Sequence, residues 1–161
     1  MSIQGSGSMK IRLFQEKDID QIAELFYQCV HNVCKDDYTP EALEAWAPRD
    51  MDVLRLKSSL QKNHTLVVED NDVVVAFGDM GDTGYLDRLY VREDYLGKGI
   101  GRQLLDRFEK YAKVKGIVYM NTSASITSLE FFKAMGYYVV TNQMVERRGV
   151  RIKRILMEKK I

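Results

Sequence analysis

The feature that most constrains this chain is residues 86–111, where a strand-like apolar run passes through a glycine-rich loop and continues directly into a long helix. The helix is indicated by apolar residues that recur at a period near 3.6 residues and therefore share one face. They are Ile100, Leu104, Leu105, Phe108, Tyr111 and Ala112. This order predicts a strand, a tight loop and an amphipathic helix in immediate succession.

The loop, residues 96–101, has the composition of an anion site. Glycine at alternate positions lets the backbone approach a ligand closely. The first N–H groups of a helix have no internal acceptor, and the helix dipole adds positive potential there. Lys98 and Arg102 add formal charge. These features favour phosphate or pyrophosphate binding, although the loop fits neither the Walker nor the dinucleotide pattern and a plain tight turn is the alternative.

The residues LYVREDYLGKGIGRQLL, followed downstream by SLEFFKAMGY, resemble the GNAT superfamily of N-acetyltransferases over residues 9–158. The resemblance implies acetyl-CoA as cosubstrate, with its diphosphate on the loop amides and its pantetheine arm on the preceding strand. The implied cofactor-binding residues are Leu89, Tyr90, Val91, Leu96, Gly97, Lys98, Gly99, Ile100, Gly101, Arg102, Ser128 and Phe132. One departure lies in the loop, because the family usually has Arg or Gln at the position of Leu96.

The patterns of apolar residues and turns predict one α+β domain over residues 9–161. The resemblance implies a mixed, mostly antiparallel sheet of six to seven strands flanked by about four to five helices. It also implies a bulge near residues 89–91 that admits the pantetheine. Residues 1–8, MSIQGSGS, are small and polar and are expected to be a remnant of an expression tag.

Helix start signals precede three predicted helices. Asp18 with Gln21 fits a capping box, and Thr39 with Pro40 fits an N-cap followed by the first helical position. Asp50 is expected to cap a helix over residues 51–62. Residues 118–121 predict a buried strand parallel to the central strand, reached through the long crossover helix.

The composition excludes several kinds of partner. With 161 residues and a formal net charge of +1, the chain has no charge excess that favours nucleic acid or a membrane surface. No apolar run approaches the ~18 residues that span a bilayer. Cys29 and Cys34 are five positions apart on a predicted helix, so we expect neither a disulfide nor a metal site. A reducing cytoplasm fits this composition, and a homodimer is left open.

Acetylation of an amine requires that the amine lose a proton. Asp87 and Asp79 lie nearest to the predicted thioester and are the candidate bases, with Asp87 preferred. A capping or salt-bridging role is the alternative for each carboxylate.

The departing thiolate also requires a proton. The family typically has a tyrosine donor where this chain has Phe132, which cannot donate. Ser125, Ser128 or an ordered water at the start of the following helix are the possible substitutes, with Ser125 preferred as the catalytic residue.

In the family, the two early helices form much of the acceptor pocket. Tyr38, Trp46 and the turn around Arg49 are therefore candidates for acceptor contact, with simple packing of Trp46 as the alternative. The resulting hypothesis is an N-acetyltransferase acting on a primary amine of a small molecule or peptide by direct attack. An acyl-CoA-binding sensor and a nucleotide-phosphate binder are the alternatives.

Overall fold

A sheet of seven strands organises residues 9–161, which are the residues that the computed structural model describes. The strands are β1 Met9–Leu13, β2 His64–Asp70, β3 Val73–Met80, β4 Tyr85–Val91, β5 Tyr119–Ala124, β6 Tyr138–Arg147 and β7 Val150–Lys160. Their order is β1-β2-β3-β4-β5-β7-β6, and β4 with β5 is the parallel pair among otherwise antiparallel neighbours. The expectation of a tag remnant at residues 1–8 lies outside the described residues.

Five helices of the described chain cover the two faces of the sheet. They are α1 Ile19–Val33, α2 Pro40–Trp46, α3 Val53–Lys62, α4 Ile100–Val114 and α5 Leu129–Ala134. The fully buried Phe108 of α4 anchors the core on one face, together with Phe132 of α5. The fully buried Phe77 of β3 anchors the core under α1 and α3 on the other face. The predicted α+β class and the predicted numbers of strands and helices are confirmed.

The start signals of the two short early helices are partly confirmed. Thr39 caps α2, because its side chain accepts a hydrogen bond from the amide of Ala42 at 3.1 Å. The prediction that Asp50 caps the next helix is wrong, since Asp52 accepts from the amide of Arg55 at 3.0 Å. Asp50 lies two residues too early and instead pairs with Arg148 at 2.9 Å.

The predicted capping box at Asp18 is also wrong. A short 3-10 helix, Glu16–Asp18, precedes α1 and turns the Asp18 carboxylate back toward Gln15, whose amide donates to it at 2.8 Å. Asp18 is buried, and Arg12 donates to both of its oxygens at 2.8 and 2.9 Å. Gln21 accepts from the amide of Val74 at 3.0 Å, so it fastens α1 to β3 instead of capping the helix.

The central pair of strands separates soon after it forms. β4 and β5 are parallel as predicted, but they pair at Tyr85 with Asn121 and at Leu86 with Thr122 and then diverge. The register of β4 against β3 shifts at the same level, which makes Asp87 the extra residue of a bulge. The bulge was expected near residues 89–91 and lies slightly earlier, at Asp87. It opens the sheet at its centre.

Arg12→Met should lower the free energy of unfolding by about 3 kcal/mol, because it removes the cation that Asp18 and Glu69 share. Lys10→Met is the matched control. Lys10 also pairs with Glu69, at 3.1 Å, but its side chain is 57% exposed, and its loss should cost less than about 1 kcal/mol. Urea denaturation at neutral pH measures both changes.

The cost of Arg12→Met should also shrink in acid. Burial alone would raise the pKa of Asp18, but the hydrogen bonds from Arg12 and Gln15 hold that pKa below its ordinary value. The Arg12 and Lys10 contacts likewise lower the pKa of Glu69. Depressed carboxyl pKa values stabilise the fold above the unfolded pKa, and this stabilisation is lost as the pH falls below ~4. Equal losses for the two variants would contradict this assignment.

Candidate active site

The opening between β4 and β5 is the mouth of a cleft of about 590 Å³. The glycine loop and the first residues of α4 line one part of the cleft, and α5 lines the adjacent wall. The end of α1 and Trp46 line the part on the opposite face of the sheet. The cleft therefore passes from the helix N-terminus through the sheet, which is the path that a long cosubstrate and a second substrate require.

The glycine loop holds its shape through left-handed backbone at Gly97 and Gly99, whose φ angles are 77° and 79°. A Cβ at either position would meet nothing within 4 Å, so the space above the loop is open. The first helical bond of α4 runs from the amide of Gln103 to the carbonyl of Gly99 at 3.1 Å. The amides of residues 100–102 therefore lack intrahelical acceptors and are available to an anion.

Two cations accompany this loop in different ways. Arg102 lines the cleft, whereas Lys98 does not and lies with its ammonium 5.0 Å from the centre of the Tyr95 ring. Arg92 is neutralised by Asp94, with its Nε donating at 2.7 Å. Arg102 is thus the side-chain cation that the fold brings to the cleft beside the loop amides.

The backbone of β4 faces the opening at alternate residues. The amide of Arg92 donates to the carbonyl of Val75 at 2.9 Å, so the even-numbered residues of this segment bond to β3. By the alternation of an antiparallel ladder, the backbone groups of Leu89 and Val91 point away from β3 and into the opening. The thiol of Cys29 donates to the carbonyl of Val91 at 3.2 Å, which closes one of these positions.

The turn between β5 and α5 supplies hydroxyl groups to the cleft. The Ser125 hydroxyl accepts from the amide of Ser128 at 3.0 Å and donates to the Ser128 hydroxyl at 2.9 Å. Thr127 donates to Asp37 at 2.7 Å. Phe132 lines the cleft but is 4% exposed and packs edge-on against Phe131 and Tyr137. The two serines therefore line the cleft together with Phe132, which has no hydroxyl group.

The two candidate bases have different surroundings. Asp87 is exposed at the bulge and lines the cleft, with an oxygen 3.7 Å from the Arg88 guanidinium. Asp79 is fully buried outside the cleft lining, where its Oδ2 accepts from Arg88 and from Asn63. Its Oδ1 has no partner within residues 9–161. Burial raises the pKa of Asp79 to about 6, with Arg88 and Asn63 opposing the rise.

Of the two predicted acceptor residues, one lines the cleft and the other does not. Trp46 lines the cleft, together with Tyr90 of β4. Tyr38 is outside the lining because its hydroxyl is occupied, donating to the carbonyl of Lys153 at 2.7 Å and accepting from the amide of Ile126 at 2.9 Å. Tyr38 packs edge-on against Trp46, so it supports the wall of the cleft from behind. Arg49 lies over the ring of Tyr27 and is also outside the lining.

Comparison with known proteins gives the family. The family described as "Acetyltransferase (GNAT) domain" matches residues 34–161. The chain belongs to the GNAT acetyltransferase family. The chain is 30% identical over 142 residues to an uncharacterized N-acetyltransferase, YafP, of Escherichia coli K12, covering 88% of this chain and 89% of that protein. This GNAT protein is therefore an acyltransferase.

Solved structures of GNAT proteins share the fold. A GCN5-related N-acetyltransferase from Rhodopseudomonas palustris superposes with a TM-score of 0.93 at 28% identity, covering 99% of this chain and all of the other. The PaiA N-acetyltransferase from Thermoplasma acidophilum, solved in complex with coenzyme A, gives a TM-score of 0.79 at 21% identity over 96% and 99% of the two chains.

The GNAT fold brings most of the predicted site residues to one cleft. The predicted residues that line it are Asp87, Leu89, Tyr90, Val91, Leu96, Gly97, Gly99, Ile100, Gly101, Arg102, Ser125, Ser128, Phe132 and Trp46. Lys98 and Tyr38 are not in the lining. Sequence reasoning missed Cys29, Cys34 and Arg88. The register of the helical stripe places Cys29 on the α1 face that covers the sheet, and Cys34 follows the last residue of α1, but nothing in one sequence says that this face meets a cleft.

No helix within residues 9–161 combines the length and the apolar character needed to cross a bilayer. Within the same residues, no group of three or more His, Cys, Asp or Glu side chains is arranged to bind a metal ion.

Asp79→Asn should make the fold less sensitive to pH between about 4 and 6. Because the folded pKa is raised from 3.8 to about 6, the stabilisation is present below the unfolded pKa and is lost as the pH rises through the folded value. Between pH 4 and pH 7, the free energy of unfolding of the parent protein should therefore fall by roughly 1–3 kcal/mol more than that of the variant. Asp82→Asn, at an exposed turn position, is the matched control and should leave the pH profile unchanged. Parallel profiles for Asp79→Asn and the parent protein would contradict the assignment.

Proposed function

We propose that this GNAT protein transfers the acetyl group of acetyl-CoA to a primary amine of a small molecule or peptide by direct attack. The observation that supports this function best is the continuous cleft from the α4 N-terminus through the opening between β4 and β5. Acetyl-CoA enters from the glycine-loop side, and the amine enters from the side of α1 and α2. The two substrates meet beside residues 87–91.

The diphosphate of CoA is bound by the open amides of residues 100–102, with Arg102 adding charge. Amides at a helix N-terminus point at the anion, and the helix dipole favours negative charge there. The pantetheine arm then runs along β4 and bonds with the inward-facing backbone groups of Leu89 and with the amide of Val91, whose carbonyl is taken by Cys29. A β4 amide in this position also polarises the thioester carbonyl, since it donates toward the oxygen on which charge develops.

The amine must be neutral to attack. A lysine-like amine has a pKa near 10.4, so on the order of one molecule in a thousand is neutral at pH 7. Asp87 is the proposed base, acting through water, because it is the carboxylate of the cleft lining. Asp87 takes one proton from the ammonium through water. The neutral nitrogen then bonds to the thioester carbon, the C–S bond breaks, and the second N–H proton ends on the departing sulfur, which gives the amide and the CoA thiol.

The thiolate of CoA leaves beside the β5–α5 turn. Phe132 has no hydroxyl, so the hydroxyl of Ser125 takes its place: it turns from the Ser128 oxygen, 2.9 Å away, and donates a hydrogen bond to the departing thiolate while keeping its own proton. A thiol with a pKa near the cysteine value of about 8.5 is a fair leaving group even without this help. The function therefore does not require the tyrosine that the family usually has.

Location and assembly are part of the same proposal. Cys29 and Cys34 are free and buried thiols, which is consistent with a reducing cytoplasm. The outer strand β6 carries exposed apolar side chains, including Tyr138, Val140 and Met144. An exposed apolar edge strand favours pairing with another strand, and this supports a homodimer.

Gly99→Glu should abolish CoA binding while the protein stays folded, because a carboxylate would occupy the diphosphate space. Gly149→Glu is the matched control: its φ is also 79°, a Cβ there also meets nothing within 4 Å, and it lies in the β6–β7 turn. Both variants carry the same backbone strain of about 1 kcal/mol, but the control should keep its CoA affinity. Calorimetric titration with CoA measures both, and equal affinities would refute the loop as the site.

Ser125→Ala should lower kcat by roughly 10²-fold, within the range that is lost when one hydrogen-bond donor to a developing negative charge is removed. The dissociation constant of acetyl-CoA should stay unchanged, because the diphosphate contacts lie elsewhere. Thiol release from acetyl-CoA with an accepted amine measures kcat, and thermal unfolding checks that the β5–α5 turn survives. Full activity in this variant would remove Ser125 from the mechanism.

A further inference from the structure

We infer that the acceptor is a primary amine carried on an apolar body, without a carboxylate beside the amine. This inference rests on the proposed function and concerns the part of the cleft on the α1 and α2 face of the sheet, which we call the acceptor lobe. Its lining residues are Cys29, Val33, Cys34, Trp46 and Tyr90.

The acceptor lobe has apolar walls that are held in place by aromatic packing. Tyr90 meets Phe26 edge-on with the ring centres 5.2 Å apart, and Phe77 packs on it from β3 at 5.7 Å. Trp46 is fixed in the same way by Tyr38 at 5.4 Å. These rigid ring surfaces match a hydrocarbon or aromatic body, because the transfer of such a body from water to an apolar surface is favourable.

The acceptor lobe also carries no formal charge. Burial raises the pKa of the Cys29 thiol to about 12, and it raises the pKa values of Cys34 and Tyr90 as well. The thiols and the phenol are therefore neutral at neutral pH. An acceptor carboxylate in this lobe would lose its hydration and find no cation to replace it, which is strongly unfavourable.

Arg88, the arginine of β4 in the cleft lining, is already neutralised. Its guanidinium bonds to buried Asp79 and to the hydroxyl of Ser59 in α3, and Asp87 lies 3.7 Å away. When ionised, two carboxylates and one guanidinium leave this group with a net charge of −1. The group therefore attracts an ammonium arriving from solvent and repels a carboxylate.

Three candidate acceptors that each carry a phenyl ring test the inference: phenethylamine, phenylalanine and phenylalanine methyl ester. With saturating acetyl-CoA, kcat/KM from thiol release should be at least about tenfold higher for phenethylamine and for the ester than for phenylalanine. Tenfold equals about 1.4 kcal/mol, less than an unpartnered carboxylate costs on burial. The α-amine of phenylalanine is less basic than that of an alkylamine, so protonation alone would favour phenylalanine over phenethylamine. The amine of the ester is less basic still, so its kcat/KM is compared per neutral amine.

Two variants of the full chain separate the causes. Asp79→Asn changes the net charge of the Arg88 group from −1 to 0 without touching the cleft lining, so the preference for phenethylamine over phenylalanine should shrink several-fold; Asp82→Asn should leave it unchanged. Trp46→Ala should reduce kcat/KM for phenethylamine at least tenfold more than for ethylamine, because ethylamine has no body to fill the lobe. The affinity for CoA should be the same in every variant.

The outcomes separate a failure of this inference from a failure of the proposed function. If amines are acetylated but phenylalanine equals or exceeds phenethylamine, the inferred acceptor class is wrong and the proposed function stands. If Trp46→Ala reduces both amines equally, the apolar lobe does not select the acceptor. If the protein binds acetyl-CoA but transfers acetyl to no amine, both the proposed function and this inference fail.

Discussion

The early separation of β4 from β5 is the constraint on which the rest of this structure depends. A sheet normally pairs every backbone N–H and C=O group within it, and unpaired groups at its centre are costly. Here the two strands pair at two positions and then part, so the inward-facing groups at Leu89 and Val91 have lost the neighbour that a continuous sheet would supply. The bulge at Asp87 allows this opening while β4 keeps its bonds to β3. The opening suits a ligand that brings its own amide groups, as pantetheine does, and that completes the sheet where the protein leaves it open.

The glycine loop and the opening act together because α4 begins where β4 ends. Alternating left-handed glycines turn the chain within a few residues, and the next three amides point along the helix axis toward the open cleft. The charges of the site are divided between its two ends. Arg102 stands beside the loop amides to which we assign the diphosphate, and Asp87 stands where the proposed reaction removes a proton. Arg88, which Asp79 neutralises, lies beside Asp87. In the proposed reaction the thiolate departs at a third position, beside Ser125 and Ser128.

Local sequence patterns predicted the parts of the site that are built from neighbouring residues. The loop and α4 followed from glycine spacing and a 3.6-residue period, and the parallel β5 followed from a crossover of that length. Contacts between distant segments could not be read in this way. The hydroxyl of Tyr38 is held by residues 88 and 115 positions further along the chain, so a predicted acceptor residue became a support. The predicted start of α3 is wrong by a short distance, since Asp52 and not Asp50 caps this helix. Several nearby side chains are equally good caps, and tertiary contacts select among them.

The central claim, that open amides on α4 and β4 bind coenzyme A across the divided sheet, is tested most directly by the backbone amide resonances of the isotope-labelled protein. Titration with CoA should shift the amides of Gly97, Gly99, Ile100, Gly101 and Arg102 together with those of Leu89 and Val91. Pantetheine alone, which has no diphosphate, should shift the β4 amides and leave the loop amides in place. Shifts that fall elsewhere, or loop amides that respond equally to pantetheine, would contradict the account.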